Sequence, residues 1–178
     1  MSTVTEPSNG SLLDRRWINL LGFLICAASL GFAYFLQFYR DLEPCPLCIF
    51  QRLAILALGI VFLVAAAHHP LGWGRRIYAL LILVIGGIGA GIAGRHVWLQ
   101  HLPPEQVPEC GPGLDYMLDV FPLSETITTV LQGSGECGEV SWTFLGLSIP
   151  TWTLLLFIGL IVMGVVTNWR QAGLSRTA

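Results

Sequence analysis

Four long apolar stretches, Trp17–Phe38, Ile49–Ala67, Ile77–Leu99 and Ile149–Val166, organise the chain, with polar segments between them. Each is close to the roughly 20 residues that cross about 30 Å of hydrocarbon at about 1.5 Å per residue. Within them only Arg52 and Arg95 are charged, and both lie near an end. No strict alternation of apolar and polar residues runs through them, so a membrane barrel is excluded and spanning helices remain. The pattern predicts an all-α membrane protein: a four-transmembrane-helix bundle over residues 17–167, with tails at 1–16 and 168–178.

The segment 100–148 has a different rhythm. Leu114, Met117, Leu118 and Phe121, then Ile127, Val130 and Leu131, recur at helical intervals. Short amphipathic helices lying on a membrane surface fit that spacing. The glycines of "IGGIGAGIAG" predict close helix approach in the third span. Trp17, Trp73, Trp98, Trp142, Trp152 and Trp169 fall near span ends and are assigned to the interfacial belt.

Composition agrees, with 54% hydrophobic residues, 11% charged and a net charge of −2. The positive charges add orientation. Arg15 and Arg16, Arg75 and Arg76, and Arg170 and Arg176 flank the spans on one side, whereas residues 100–148 contain seven acidic residues and no arginine. Both termini are therefore expected in the cytoplasm, and the loops 39–48 and 100–148 on the opposite face. The first span is longer than the apolar core of a cleaved signal peptide and is read as retained. The polar leader Met1–Asp14 is expected to be disordered.

Five cysteines sit on this map: Cys26 inside the first span, and Cys45, Cys48, Cys110 and Cys137 in the two outer loops. Cys26 reads as a small buried apolar residue. The other four admit three chemistries. Two disulfides could tie down the loops of a non-enzymatic membrane scaffold, since the outer face permits them. A four-sulfur zinc site is disfavoured because Cys110 and Cys137 are 27 residues apart. The third is redox catalysis, with one pair passing electrons to the other.

Local chemistry favours the third. In "EPCPLCIFQR", Pro44 and Pro46 bracket Cys45, and proline suits a helix start because its missing N–H is not needed there. Cys48 then lies at a helix N-terminus, where the dipole favours a thiolate, and Arg52 adds a cation one turn further on. A thiol pair at this depth can pass electrons to a lipid-soluble acceptor, for which a quinone is the candidate. A cation beside it would stabilise charge developing on the quinone oxygen. His96 and His101 do not share a helical face well, so no haem is expected. No resident metal and no nucleic-acid partner are expected either. His68 and His69 are expected to face solvent.

With these residues in view, the sequence resembles the DsbB family, bacterial inner-membrane enzymes that reoxidise the periplasmic thiol oxidase DsbA with quinone. The resemblance rests on "PCPLCIFQR", "RHVWLQ" ending the third span, "GSGECGE" around the last cysteine, and "WTFLGLSIPTW" entering the fourth. Vitamin K epoxide reductases, also quinone-dependent four-helix proteins, place the loop pair before the CxxC; here it follows.

The resemblance implies a thiol:quinone oxidoreductase using ubiquinone or menaquinone and feeding the respiratory chain. Cys45 and Cys48 would be the membrane-proximal pair, with Cys48 facing the quinone. Cys110 and Cys137 would be the loop pair, Cys110 forming the mixed disulfide with a DsbA-like periplasmic thiol oxidase and Cys137 attacking Cys45. Arg52 and His96 would lie at the quinone. Gln51 stands where some members are acidic, and Phe50 where some carry tyrosine. Cys110 would ride on the mobile arm "PPEQVPECGPG", while the amphipathic helices keep Cys137 near the membrane.

Overall fold

The computed structural model describes residues 9–40, 44–68, 73–106, 114–133, 135–138 and 142–169. Four helices dominate: α1 (Asn9–Arg40), α2 (Pro46–His68), α3 (Trp73–Gln100) and, after a long connection, α7 (Ile149–Trp169). Each contains a segment long and apolar enough to cross a membrane. The chain is an all-α membrane protein built as a four-helix bundle. Helix α1 packs on α2 and α7, and α3 packs on α2 and α7, so the four close into a ring.

Lipid is as apolar as leucine, so helix association in a membrane depends on close packing. Leu58, Phe62, Ile82 and Phe157 are fully buried at the centre of the ring, with Cys26 beside them. The small-residue prediction for α3 holds at two positions. A Cβ at Gly86 would meet Ile161 of α7, and one at Gly89 would collide with the ring of Phe157. Among the described residues, no other group lies within 4 Å of such an atom at Gly87, Gly91 or Gly94. At one end of the bundle the buried Asn168 of α7 donates to Asn19 of α1 at 3.2 Å and to the Gly164 carbonyl at 2.8 Å. His68, as expected, is exposed, and it bonds Tyr78 at 2.9 Å.

One boundary is corrected. The leader was expected to be disordered to Asp14, yet α1 starts at Asn9. Extending an existing helix adds a hydrogen bond for each residue fixed, so the polar residues preceding a long span can continue it. Residues 1–8 and 170–178 lie outside the described residues.

The connection between α3 and α7 carries α4 (Leu114–Val120), α5 (Leu123–Gln132) and the single-turn α6 (Gly135–Gly138). Met117 and Val130, two of the residues picked out by helical spacing, are buried, whereas Ile127 and Leu131 on α5 stay exposed. Thr126 Oγ1 donates to the Met117 carbonyl at 3.2 Å and joins α5 to α4. Helix α5 ends at Gly133, whose φ of 87° is reached readily without a Cβ and whose N–H caps the Val130 carbonyl. A Cβ there would also strike Leu99 of α3.

The block "WTFLGLSIPTW" has a local cause. Strands β1 (Thr143–Phe144) and β2 (Leu147–Ser148) pair antiparallel, with Phe144 opposite Leu147. The two-residue turn has φ of 53° at Leu145 and 78° at Gly146, the positive pair that matches the twist of a tight hairpin. Ser148 Oγ donates to Gln100 Oε1 at 2.7 Å, fastening the start of α7 to the end of α3. Pro150 falls in the first turn of α7, where a missing N–H is tolerated.

Candidate functional site

Helix α2 begins where "CPLC" predicts. Pro46 is its first residue, and the Cys45 carbonyl accepts from Ile49 N at 3.2 Å, so Cys45 is the N-cap. Cys48 is then the third helical residue and folds back over the helix start. The two sulfurs lie 3.2 Å apart, with Cys45 buried and Cys48 half-buried. The positive end of the α2 dipole and Arg52, one turn on, both face this corner.

His96 reaches the pair from α3. Its Nε2 lies 3.8 Å from Cys45 Sγ and its Nδ1 3.9 Å from Cys48 Sγ. The ring is only 3% exposed, and the Gln51 amide holds it at 3.1 Å from Nδ1. Gln51 therefore touches the histidine directly and is itself buried.

Arg52 is held from α1. Its Nη1 donates to Gln37 Oε1, its Nη2 donates to the Ala33 carbonyl at 3.2 Å, and its guanidinium lies 5.2 Å from the ring centre of Tyr34. These contacts fix a planar cation beside the cysteines rather than leaving it to reach for solvent. Sequence reasoning missed the Gln37 clamp. The available signal was an amide in an otherwise apolar turn of a spanning helix.

A cavity of about 1140 Å³ opens from this corner. Cys45, Cys48, Gln51, Arg52 and His96, with Gln100 and Glu136, form its polar side, and Phe32 and Leu36 of α1 with Leu155 and Leu156 of α7 form its apolar side. Trp142, Phe144 and Trp152 complete the wall. The Trp142 and Phe144 rings stack at 5.9 Å with 6° between planes, and Trp152 Nε1 donates to the Phe144 carbonyl at 3.1 Å. Trp142 and Trp152 lie near the end of a span, as their expected place in the interfacial belt requires, and in addition line the cavity. The hairpin turns the chain so that both rings line the cavity, a placement that proximity to a span end cannot convey.

Cys137, on α6, is fully buried in the same cluster as Cys45, Leu47 and Leu99, and lies close enough to Cys48 for their charges to interact. Helix α6 packs on α3. Arg95 fastens α5: its Nε and Nη2 donate to the Leu131 and Gln132 carbonyls at 3.3 and 3.0 Å, and the cation lies 4.3 Å from the Trp98 ring centre. That role too was unseen in the sequence. Cys110 lies outside the described residues. Cys26 is 1% exposed on α1 and packs against Gly59 of α2 away from this corner, as its mid-span position implies.

The arrangement offers two vicinal sulfurs, a third sulfur nearby, an imidazole touching both, and a fixed cation over a largely apolar cavity. It suits thiol–disulfide exchange beside a hydrophobic ligand. Residues 15–167 match the family described as "Disulfide bond formation protein DsbB". A disulfide bond formation protein B of Nitrosococcus oceani is 58% identical over 159 residues, covering 89% of this chain and 92% of the relative. One from Methylococcus capsulatus is 57% identical over 89% of this chain and 97% of the relative, and one from Hahella chejuensis 56% identical over 83% and 89%.

Proposed function

The chain belongs to the DsbB family of disulfide bond formation proteins, and from that premise we propose that it reoxidises a DsbA-like periplasmic dithiol oxidase and delivers the electrons to a membrane quinone. The general role in forming disulfides comes with the family; the partner, the acceptor and the residue roles are this reading. It places the protein in a bacterial inner membrane with both termini cytoplasmic and the segment 100–148 periplasmic.

In this cycle a thiolate of the partner attacks Cys110 of a Cys110–Cys137 disulfide, and the Cys137 sulfur leaves with the bonding pair. Cys137 attacks Cys45 of the Cys45–Cys48 disulfide, forming Cys137–Cys45 and expelling Cys48 as a thiolate. The partner's second thiolate resolves its mixed disulfide and frees Cys110, which attacks Cys137 and releases Cys45. The sum leaves the partner oxidised and Cys45 and Cys48 reduced. Burial of Cys137 in the same cluster as Cys45 supports the second exchange. The N-terminus of α2 and the clamped Arg52 would stabilise the negative sulfur when Cys48 or Cys45 is the one expelled.

The cavity fits a quinone. It is apolar enough for a ring and isoprenoid chain, its volume is ample, and Arg52 and His96 supply hydrogen-bonding groups at the cysteine end. A bound quinone would accept the two electrons and two protons released as the Cys45–Cys48 disulfide re-forms. Arg52 would donate to a carbonyl oxygen, His96 would carry a proton from the thiols, and the aromatic wall would exclude water. The observation that carries the proposal is that half-buried Cys48 opens onto this cavity next to Arg52.

The test is anaerobic mixing of purified protein with quinone and a reduced thioredoxin-fold oxidase, following quinone absorbance. Stoichiometric reduction that depends on both proteins is expected. A protein that oxidises the partner only in air, without consuming quinone, would sink the proposal.

A further inference from the structure

Cys45 and Cys48 Sγ and a ring nitrogen of His96 lie within 4.8 Å of one another. The sulfurs are 3.2 Å apart, Cys45 Sγ lies 3.8 Å from Nε2 and Cys48 Sγ 3.9 Å from the other nitrogen, Nδ1, so a metal held at one ring nitrogen uses one of these two separations. Zinc held by sulfur at about 2.3 Å and imidazole at about 2.0–2.1 Å sets tetrahedral ligand separations of roughly 3.5–3.8 Å. The sulfurs therefore need to part by only about half an ångström, within a rotamer adjustment of Cys48.

Two further features suit a metal. The ligands come from rigid elements, the N-cap and first turn of α2 and the end of α3, and Cys45 and His96 are buried. Gln51 supplies an outer partner for the imidazole at 3.1 Å. The amide atom facing Nδ1 is the Gln51 nitrogen; a half-turn of the amide, which leaves its shape unchanged, would let its oxygen accept from Nδ1–H and keep the His96 Nε2 lone pair for the ion, the arrangement common behind metal-bound histidines. The cavity leaves the fourth position open to water or a thiol.

We propose that the reduced Cys45–Cys48 pair and His96 form a site for one thiophilic divalent cation, Zn²⁺ or Cd²⁺, that blocks this corner of the protein. Binding forms two metal–sulfur bonds and a metal–nitrogen bond and expels the two thiol protons; no electrons move, so the sulfurs stay reduced. A captured pair can neither attack a disulfide nor re-form its own. Cation binding stands apart from the redox proposal, whereas inhibition of turnover rests on it.

The test uses full-length protein carrying Cys110→Ser and Cys137→Ser, reduced and held anaerobically, so that Cys45, Cys48 and the buried Cys26 are the thiols left. Titration with Cd²⁺ is followed by sulfur-to-metal charge-transfer absorption, and with Co²⁺ by its visible bands. One equivalent is expected to bind, releasing about two protons. Cys45→Ser and Cys48→Ser should each abolish the charge-transfer band. His96→Ala and His96→Asn should each weaken binding at least about tenfold and shift the Co²⁺ bands, and Gln51→Leu should weaken it by roughly 10-fold. Failure of the reduced protein to bind Cd²⁺, or an unchanged affinity and Co²⁺ spectrum in both His96 variants, overturns the site. Metal binding by a protein that cannot reduce quinone would support this site while removing the redox proposal.

Discussion

Arg52 of α2 donates through Nη1 to Gln37 of α1 and, through Nη2, to the carbonyl of Ala33 one turn away. A charge that could reach for solvent is thereby pinned where the cavity meets Cys48. Under the proposed quinone reading, this clamp is expected to make Arg52 a determinant of quinone affinity rather than of partner binding. Arg52→Ala should raise the KM for quinone by about 10- to 150-fold, the equivalent of one charge-assisted hydrogen bond of roughly 1.5–3 kcal/mol. Lysine should restore only part of it, because the planar fork is lost. Gln37→Ala should give a smaller increase. The check is steady-state kinetics at varied quinone against varied partner; a change confined to the partner's KM would make Arg52 a mere surface anchor.

The proposed relay assigns a separate job to each outer cysteine. Cys45→Ser, Cys48→Ser, Cys110→Ser and Cys137→Ser should each abolish turnover. Cys26→Ser should not, since its sulfur packs against Gly59 within the bundle core. Near-normal quinone-dependent oxidation in any of the first four would break the two-pair scheme.

Arg95 joins two chain segments 36 and 37 residues apart by capping the last carbonyls of α5. Removing it should loosen α5 and, through the short link at Gly133, the α6 turn that buries Cys137. Arg95→Ala is expected to speed maleimide labelling of reduced Cys137 severalfold and slow electron transfer from the partner, leaving the KM for quinone nearly constant. Lysine should rescue weakly. Unchanged labelling would confine Arg95 to the surface.

Topology can be checked independently. A cysteine introduced at Asp119, in a background lacking the outer thiols, should react with a membrane-impermeant reagent from the periplasmic side, and one at Arg76 should not. The reverse pattern would place the redox cysteines in the wrong compartment.

Gly89 lies where α3 meets the ring of Phe157. Gly89→Val should separate α3 from α7 and lower the thermal midpoint in detergent, with a loss of about 1–3 kcal/mol as expected for overpacking. Gly91→Ala, at a position with open space, should have little effect.

The spans were legible because twenty apolar residues in a row have few solutions in a bilayer, and the start of α2 because Pro46 suits a helix start. The helices of the long connection were legible from the spacing of Met117 and Val130. Other features depended on distance across the bundle. Gln37 and Arg52 are 15 residues apart and meet only once α1 and α2 are packed. Trp142 and Trp152 carry the same sequence signal whether they face lipid or line a cavity, and the turn at Leu145 and Gly146 decides between these. A leucine with φ of 53° is a conformation that no propensity would select.

Cys45 caps α2 without being part of its regular coil: its carbonyl is engaged by Ile49, while its side chain leaves from the residue at which the chain enters the helix. A sulfur carried there can change bonding partner by turning about its own Cα–Cβ bond. No backbone hydrogen bond of α2 has to open, so the reorganisation that accompanies each exchange is a side-chain swing, intrinsically a matter of about picoseconds to nanoseconds where space permits.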